Sequence, residues 1–147
     1  MSRDAQRLAW LETMGQVWPS TDLIARPGAD TDEPRVLVRR RARMLCTVLG
    51  EEIVALRGPA AISLVTGCGG MDIGVERAGF TTVCQHELSA DACTTLIANR
   101  PNFFADAALI QGCLRKTPTT MLLREAGLYI GECHLITGGP PCRGFST

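Results

Sequence analysis

AAISLVTGCGGMDIGVERAGFTTVCQHE, residues 60–87, passes from a short apolar run through a glycine turn into an amphipathic stretch, then into a second apolar run. Ala60–Thr66 reads as a buried strand and Gly67-Cys68-Gly69-Gly70 as the turn that follows it. Asp72 is placed to cap a short helix that stops at Gly79, and Thr81–Gln85 reads as the next strand. Strand, turn, helix, strand is one βαβ unit, and it implies a parallel sheet.

Continuing toward the carboxyl end, Ser89 caps a helix to about Asn99, halted before Pro101, and Ala107–Gln111 is a weaker strand. Thr117-Pro118 is a helix start with the cap first and proline at the first helical position; this helix runs to Gly127. His134–Thr137 is the last strand, leading into Gly138-Gly139-Pro140-Pro141 and then Cys142. Glycines permit close backbone approach and prolines fix φ, so one thiol is presented in a rigid turn past the carboxyl end of a strand. Open α/β sheets bind their ligands there, which makes Cys142 a candidate nucleophile rather than a buried structural cysteine.

Toward the amino end the pattern changes. Leu8, Leu11, Met14 and Trp18 predict an amphipathic helix over residues 5–18, and residues 19–34 read as a linker rich in Pro, Asp, Thr and Gly. A second helix is expected from about Val36 to Leu56, ended by Gly58-Pro59. Residues 1–58 are thus expected to be a helical extension before the domain at 59–147. Arg35, Arg39, Arg40, Arg41 and Arg43 read as a solvated helix face, with a phosphate-contacting patch as the alternative.

Composition narrows the class. The 147 residues are 46% apolar with zero formal net charge, enough for one cored domain and no bulk basic signal for nucleic acid. There is no apolar run of about 18 residues and no signal-peptide pattern, so a membrane span is not expected and a cytoplasmic location is. The seven cysteines, at 46, 68, 84, 93, 113, 133 and 142, form no CxxC pair; reduced thiols, and no metal site, are expected.

The turn also points to a cofactor. Its glycines allow backbone N–H groups to face a ligand, and Glu87 lies twenty residues after Gly67 at the end of the next strand. A carboxylate there can accept from both hydroxyls of a ribose. The GxGxxG pattern fails at Asp72, which argues against a pyrophosphate and for an adenosine cofactor without phosphates. S-adenosylmethionine fits that description.

SLVTGCGGMDIGVERAGF, QHELSADACTTLIANRPN and LITGGPPCRGFS, in this order and spacing over residues 60–147, resemble the amino-terminal half of the DNA cytosine-5 methyltransferases. The resemblance implies a partial doubly wound, Rossmann-like sheet, mainly parallel, on which S-adenosylmethionine binds. It implies that Gly67, Gly69 and Gly70 line the methionine part, that Glu87 holds the ribose and that Leu88 lies against the adenine. Val65, Cys68, Met71, Cys113, Leu114 and Pro140 fall among the same cofactor-contacting positions. It further implies that Cys142 is the nucleophile and Pro141 the proline before it. The substrate it implies is double-stranded DNA with the target cytosine flipped out of the stack, in restriction-modification or another methylation system.

The chain departs from the family pattern at four places. Ser63 stands where Asp is common and Val65 where Phe packs near the adenine. Cys113, in IQGCLRK at residues 110–116, replaces an acid that accepts from the adenine amino group. Losing a hydrogen bond to a charged acceptor costs about 1.5–3 kcal/mol, roughly ten- to a hundredfold in affinity. Arg143 replaces Gln after the nucleophile, and its charge is expected to favour the thiolate.

The family's remaining catalytic groups and its recognition region would lie downstream of Thr147. The expectation is therefore a fragment truncated after the nucleophile loop, or one half of a split enzyme with a complementing carboxyl-terminal chain, inactive alone. Alternatives are an RNA cytosine-5 methyltransferase and a non-catalytic cofactor-binding or partner-docking remnant. A cysteine–histidine hydrolase using Cys142 and His134 ranks last, because no third group orients His134.

Overall fold

The computed structural model describes residues 30, 32–38, 58–100, 102–105 and 107–141. Five strands form one sheet: β1 (Arg35–Val38), β2 (Ala60–Leu64), β3 (Thr81–Glu87), β4 (Ala108–Gln111) and β5 (Leu135–Gly138). Three helices, α1 (Gly70–Arg77), α2 (Ala90–Asn99) and α3 (Thr119–Ala126), connect them, with a 3₁₀ turn at Leu114–Lys116. Spatial order is β1-β4-β3-β2-β5. β2 is parallel to β3 and β5, and β3 to β4, while β1 pairs antiparallel with β4.

The chain therefore lays β3 and β4 on one side of β2, then crosses to put β5 on the other. Side chains alternate across the sheet. Ala108 and Ile110 join Ile62, Cys84, Leu122 and Ala126 in one core cluster, while Leu109 joins Leu37, Leu96 and Phe104 in the other. Both sheet faces are thus covered at β2, β3 and β4, though not at β5, where Ile136 is exposed; β4, buried at all four positions, is apolar up to Gln111 for that reason.

The expected four strands and three intervening helices form, with shifted boundaries: β2 stops at Leu64, β3 continues to Glu87, and β5 runs one residue later than predicted. The larger correction lies upstream. Residues 36–38, expected to open a helix, are part of strand β1. Val36 and Val38 are β-branched and stiff at χ1, and Leu37 and Val38 are buried where β4 offers an open edge. A partner more than seventy residues away outweighs the local helical pattern. The rest of that expected helix and the one over 5–18 lie outside the described residues, as does most of the linker.

Two caps also differ. Asp72 lies inside the first turn of α1, whose N-cap is Gly69. The α3 N-cap is Pro118, because the Thr117 hydroxyl is turned inward, 3.0 Å from the Cys113 carbonyl and 2.8 Å from His86 Nε2. A buried imidazole requires a partner, and Thr117 supplies it in place of capping. Ser89 behaves as predicted, its hydroxyl accepting from Ala92 N.

Candidate functional site at the carboxyl ends of the parallel strands

Four segments leave the same edge of the sheet. They are Val65–Gly70 after β2, Leu88–Ser89 after β3, Gly112–Leu114 after β4 and Gly139–Pro141 after β5. The register sets them side by side, with Leu64 opposite both His86 and Gly138, and Glu87 opposite Gln111. Every predicted site residue among the described ones falls on this edge. Cys142 and Arg143 lie outside the described residues.

The glycine turn is bent by unusual backbone. Val65 has φ 53, a left-handed value that costs a β-branched residue about 1–2 kcal/mol. Gly67 and Gly69 follow with φ 58 and 84. Their surroundings separate their roles. A Cβ on Gly67 or Gly70 would meet nothing within 4 Å, so these two leave open space where a ligand can approach. A Cβ on Gly69 would sit 2.9 Å from both Leu96 and Phe104; this glycine is needed for packing against α2.

Beneath the turn is a polar cluster that sequence reasoning missed. Asp72, 1% exposed, has Ser63 Oγ 2.6 Å from Oδ1 and Gln85 Nε2 2.8 Å from Oδ2, and it also accepts from Thr66 Oγ1. The Ser63 hydroxyl lies 3.0 Å from Thr66 Oγ1 as well. One carboxylate thereby ties β2, the turn, α1 and β3 together. Asp72 occupies the place of a third glycine because it is an anchor, and its charge suits the first turn of a helix. Ser63 has a matching reason: an Asp there would set a second carboxylate against Asp72. The available signal was polar Ser63, Thr66 and Gln85 within otherwise apolar strand runs, since buried polar groups need partners.

Glu87, 6% exposed, is the second tie. Its Oε2 accepts from Gly67 N at 2.7 Å, and its Oε1 from Leu88 N at 2.8 Å and Ser89 N at 2.9 Å. A carboxylate offers about four lone-pair sites, so Glu87 retains one for a further donor. Around it, Leu88 is 39% and Met71 53% exposed, Val65, Cys113 and Leu114 are half-buried, and Cys68, Pro140 and Pro141 are exposed. A Cβ on Gly138 would lie 2.9 Å from the Leu64 carbonyl oxygen, so the strand leading to the prolines runs hard against β2.

Other titratable groups are structural. His86 is buried, and desolvation holds its pKa below the ordinary 6.5, with nearby Glu87 opposing. Burial, then the Glu87 charge, pushes the Cys93 thiol up to about 12, which leaves it inert. His134 Nδ1 accepts from Ala60 N at 3.2 Å and the His134 backbone N–H donates to Ala60 O, so its role is to start the β2–β5 pairing. Among the described residues no helix is long and apolar enough to cross a membrane.

Comparison with known proteins agrees with this architecture. The family model for C-5 cytosine-specific DNA methylases matches residues 60–147, more than half of the chain, and the chain belongs to that family. It is 41% identical over 85 residues to the type II methyltransferase M.AquIA of Picosynechococcus sp., covering 58% of this chain and 33% of that protein. Identity to the type II methyltransferase M.PspPI of Psychrobacter sp. is 37% over 90 residues, 61% of this chain and 19% of the relative. For M.NgoPII of Neisseria gonorrhoeae it is 38% over 85 residues, 58% and 22%. The chain thus spans a third or less of the length of these relatives. No solved structure matches it significantly.

Proposed function

We propose that this chain carries the cofactor site and the nucleophile loop of an S-adenosylmethionine-dependent DNA cytosine-5 methyltransferase. It would act within a larger enzyme, either in one polypeptide or with a complementing chain. The observation that supports this best is the convergence of the Gly67–Gly70 turn, Glu87 and the Gly138–Pro141 run at one sheet edge. There the strand order reverses between β2 and β5, as at ligand sites of doubly wound sheets.

The residues present suit such a cofactor. Gly67 and Gly70 leave side-chain-free space for the methionine part. The remaining acceptor position of Glu87 takes one ribose hydroxyl, and half-exposed Leu88 offers an apolar wall to the adenine. When bound, S-adenosylmethionine supplies an activated methyl group. The chain's own contribution would be the Cys142 thiolate, which would add to carbon 6 of a flipped cytosine and make carbon 5 electron-rich; once carbon 5 is methylated, a general base would take its proton as the carbon 6–sulfur bond breaks and the thiolate leaves. Pro141 restricts the loop that presents it, and Arg143 raises the thiolate fraction.

Calorimetric titration of S-adenosylmethionine tests the site. Wild type binds, whereas Glu87→Gln, which offers no acceptor to Gly67 N through its amide nitrogen, loses affinity roughly tenfold or more. A folded wild-type chain that does not bind would refute the reading. Covalent trapping on a 5-fluorocytosine duplex within the complete enzyme, abolished by Cys142→Ser, tests the nucleophile.

A further inference from the structure

Asp30 and residues 32–38 lie upstream of the part that matches the family, yet they touch the loops after β3 and after β4 at the same sheet edge. Asp30 Oδ1 accepts from Ala90 N at 2.7 Å, where α2 begins. Cys113 N donates to the Asp32 carbonyl at 3.2 Å, and Lys116 Nζ lies 2.9 Å from Glu33 Oε1. Gly112 allows the crossing: a Cβ there would sit 2.5 Å from Pro34 Cα and 3.0 Å from the Glu33 carbonyl oxygen.

The decisive link is Arg35. Its Nη2 and Nε donate to Gln111 Oε1 at 2.7 and 3.2 Å. Gln111 is fully buried, and its Nε2 donates to the Leu88 carbonyl at 3.2 Å. A guanidinium has donors only, so it fixes which end of the Gln111 amide carries oxygen and hence aims the NH₂ at Leu88. Without Arg35, Gln111 Oε1 is left as an unsatisfied buried acceptor and the amide has reason to turn, releasing Leu88. Leu88 and Glu87 are adjacent, so a shift of that carbonyl moves the loop on which the cofactor reading rests.

We infer that residues 32–38, with Asp30, are a strap that sets the cofactor loops after β3 and β4, with Arg35 as a positioning residue acting through Gln111 on Leu88. This deepens the S-adenosylmethionine reading and rests on it for the identity of the ligand. The strap lies beside the loop in which Cys113 stands in place of an acid, and it supplies loop order where that direct contact is missing.

The test uses the full chain with Arg35→Met, which keeps the aliphatic stem, Arg35→Lys, which restores one donor, and Gln111→Glu. The last keeps a partner for Arg35 and so leaves β1 attached, but it has no donor for Leu88 O. Two readouts are needed: S-adenosylmethionine affinity and amide exchange at Leu88–Ala90 and Cys113. Expected are roughly tenfold weaker binding for Arg35→Met, the size of one lost charge-assisted hydrogen bond, a similar loss for Gln111→Glu, which sets a carboxylate against the Leu88 carbonyl, and partial rescue of the arginine change by lysine. Exchange accelerates at those amides while β2 and β3 stay protected. Unchanged exchange in both variants overturns the strap. Faster exchange with unchanged affinity overturns its role in positioning the cofactor. Wild type that binds no cofactor, yet shows strap-dependent protection, overturns the S-adenosylmethionine reading and leaves the strap standing.

Discussion

Asp72 receives three side-chain donors, from Ser63, Thr66 and Gln85, inside a nearly dry site. Asp72→Ala strands these donors, and a loss of about 2–4 kcal/mol in unfolding free energy is expected from urea denaturation. Ser63→Asp, although it restores the family's common residue, destabilises as well because it opposes two buried carboxylates. The two glycines of the turn are expected to separate in the same assay. Gly69→Ala meets Leu96 and Phe104 in a left-handed backbone and costs about 2–4 kcal/mol. Gly67→Ala meets nothing and carries only the left-handed penalty, about 1 kcal/mol, yet weakens cofactor binding by filling open space. Equal stability losses at the two positions would contradict the division of roles.

At the scale of elements, β1 is the part of the fold that local pattern misassigns. Leu37 is fully buried with Leu96, Phe104 and Leu109. Leu37→Ala is expected to lower stability by about 2–4 kcal/mol, read as a shifted urea midpoint at unchanged slope. A change within about 0.5 kcal/mol, the usual range for surface positions, would mean that β1 is not part of the core. The elements from β2 to β5 were legible because each carries its own punctuation: the Ser89 cap, the stop at Gly127, the glycine turn. β1 carries none, and its strand state exists only through pairing with β4. Asp72 and Thr117 failed as caps for a related reason. Both are good local caps, and both are claimed by buried partners, the β2–β3 polar cluster and His86, that lie far away in sequence.

For the whole molecule, His86 predicts an acid limit to stability. Its folded pKa lies below 6.5, so under pH 6.5 the unfolded chain takes up a proton that the folded chain resists. The stability present above pH 6.5 is therefore lost as pH falls from 6.5 toward the lowered folded value. His86→Gln, which keeps a donor for Thr117 and cannot titrate, is expected to flatten this slope in denaturation measured across that window. The proposed cofactor site predicts a second global readout: at a hundred times its dissociation constant, a ligand of the folded state alone adds about 2.7 kcal/mol, visible as a raised melting temperature.

Sequence by itself determined the parallel βαβ order over residues 60–138, the glycine turn and the placement of Glu87, because these depend on short-range periodicity and turn chemistry, and its motifs carried the resemblance to the family. Only the tertiary structure decided what closes around them. The left-handed bend at Val65, the burial of Asp72 beneath the turn and the bond from Gly67 N to Glu87 belong to segments brought together in space. So do the division between Gly67 and Gly69 and the crossing of Glu33 and Pro34 over Gly112. In each case a residue's best local conformation competes with a buried partner's unmet hydrogen bond or packing need, and the buried partner prevails because leaving it unsatisfied costs more.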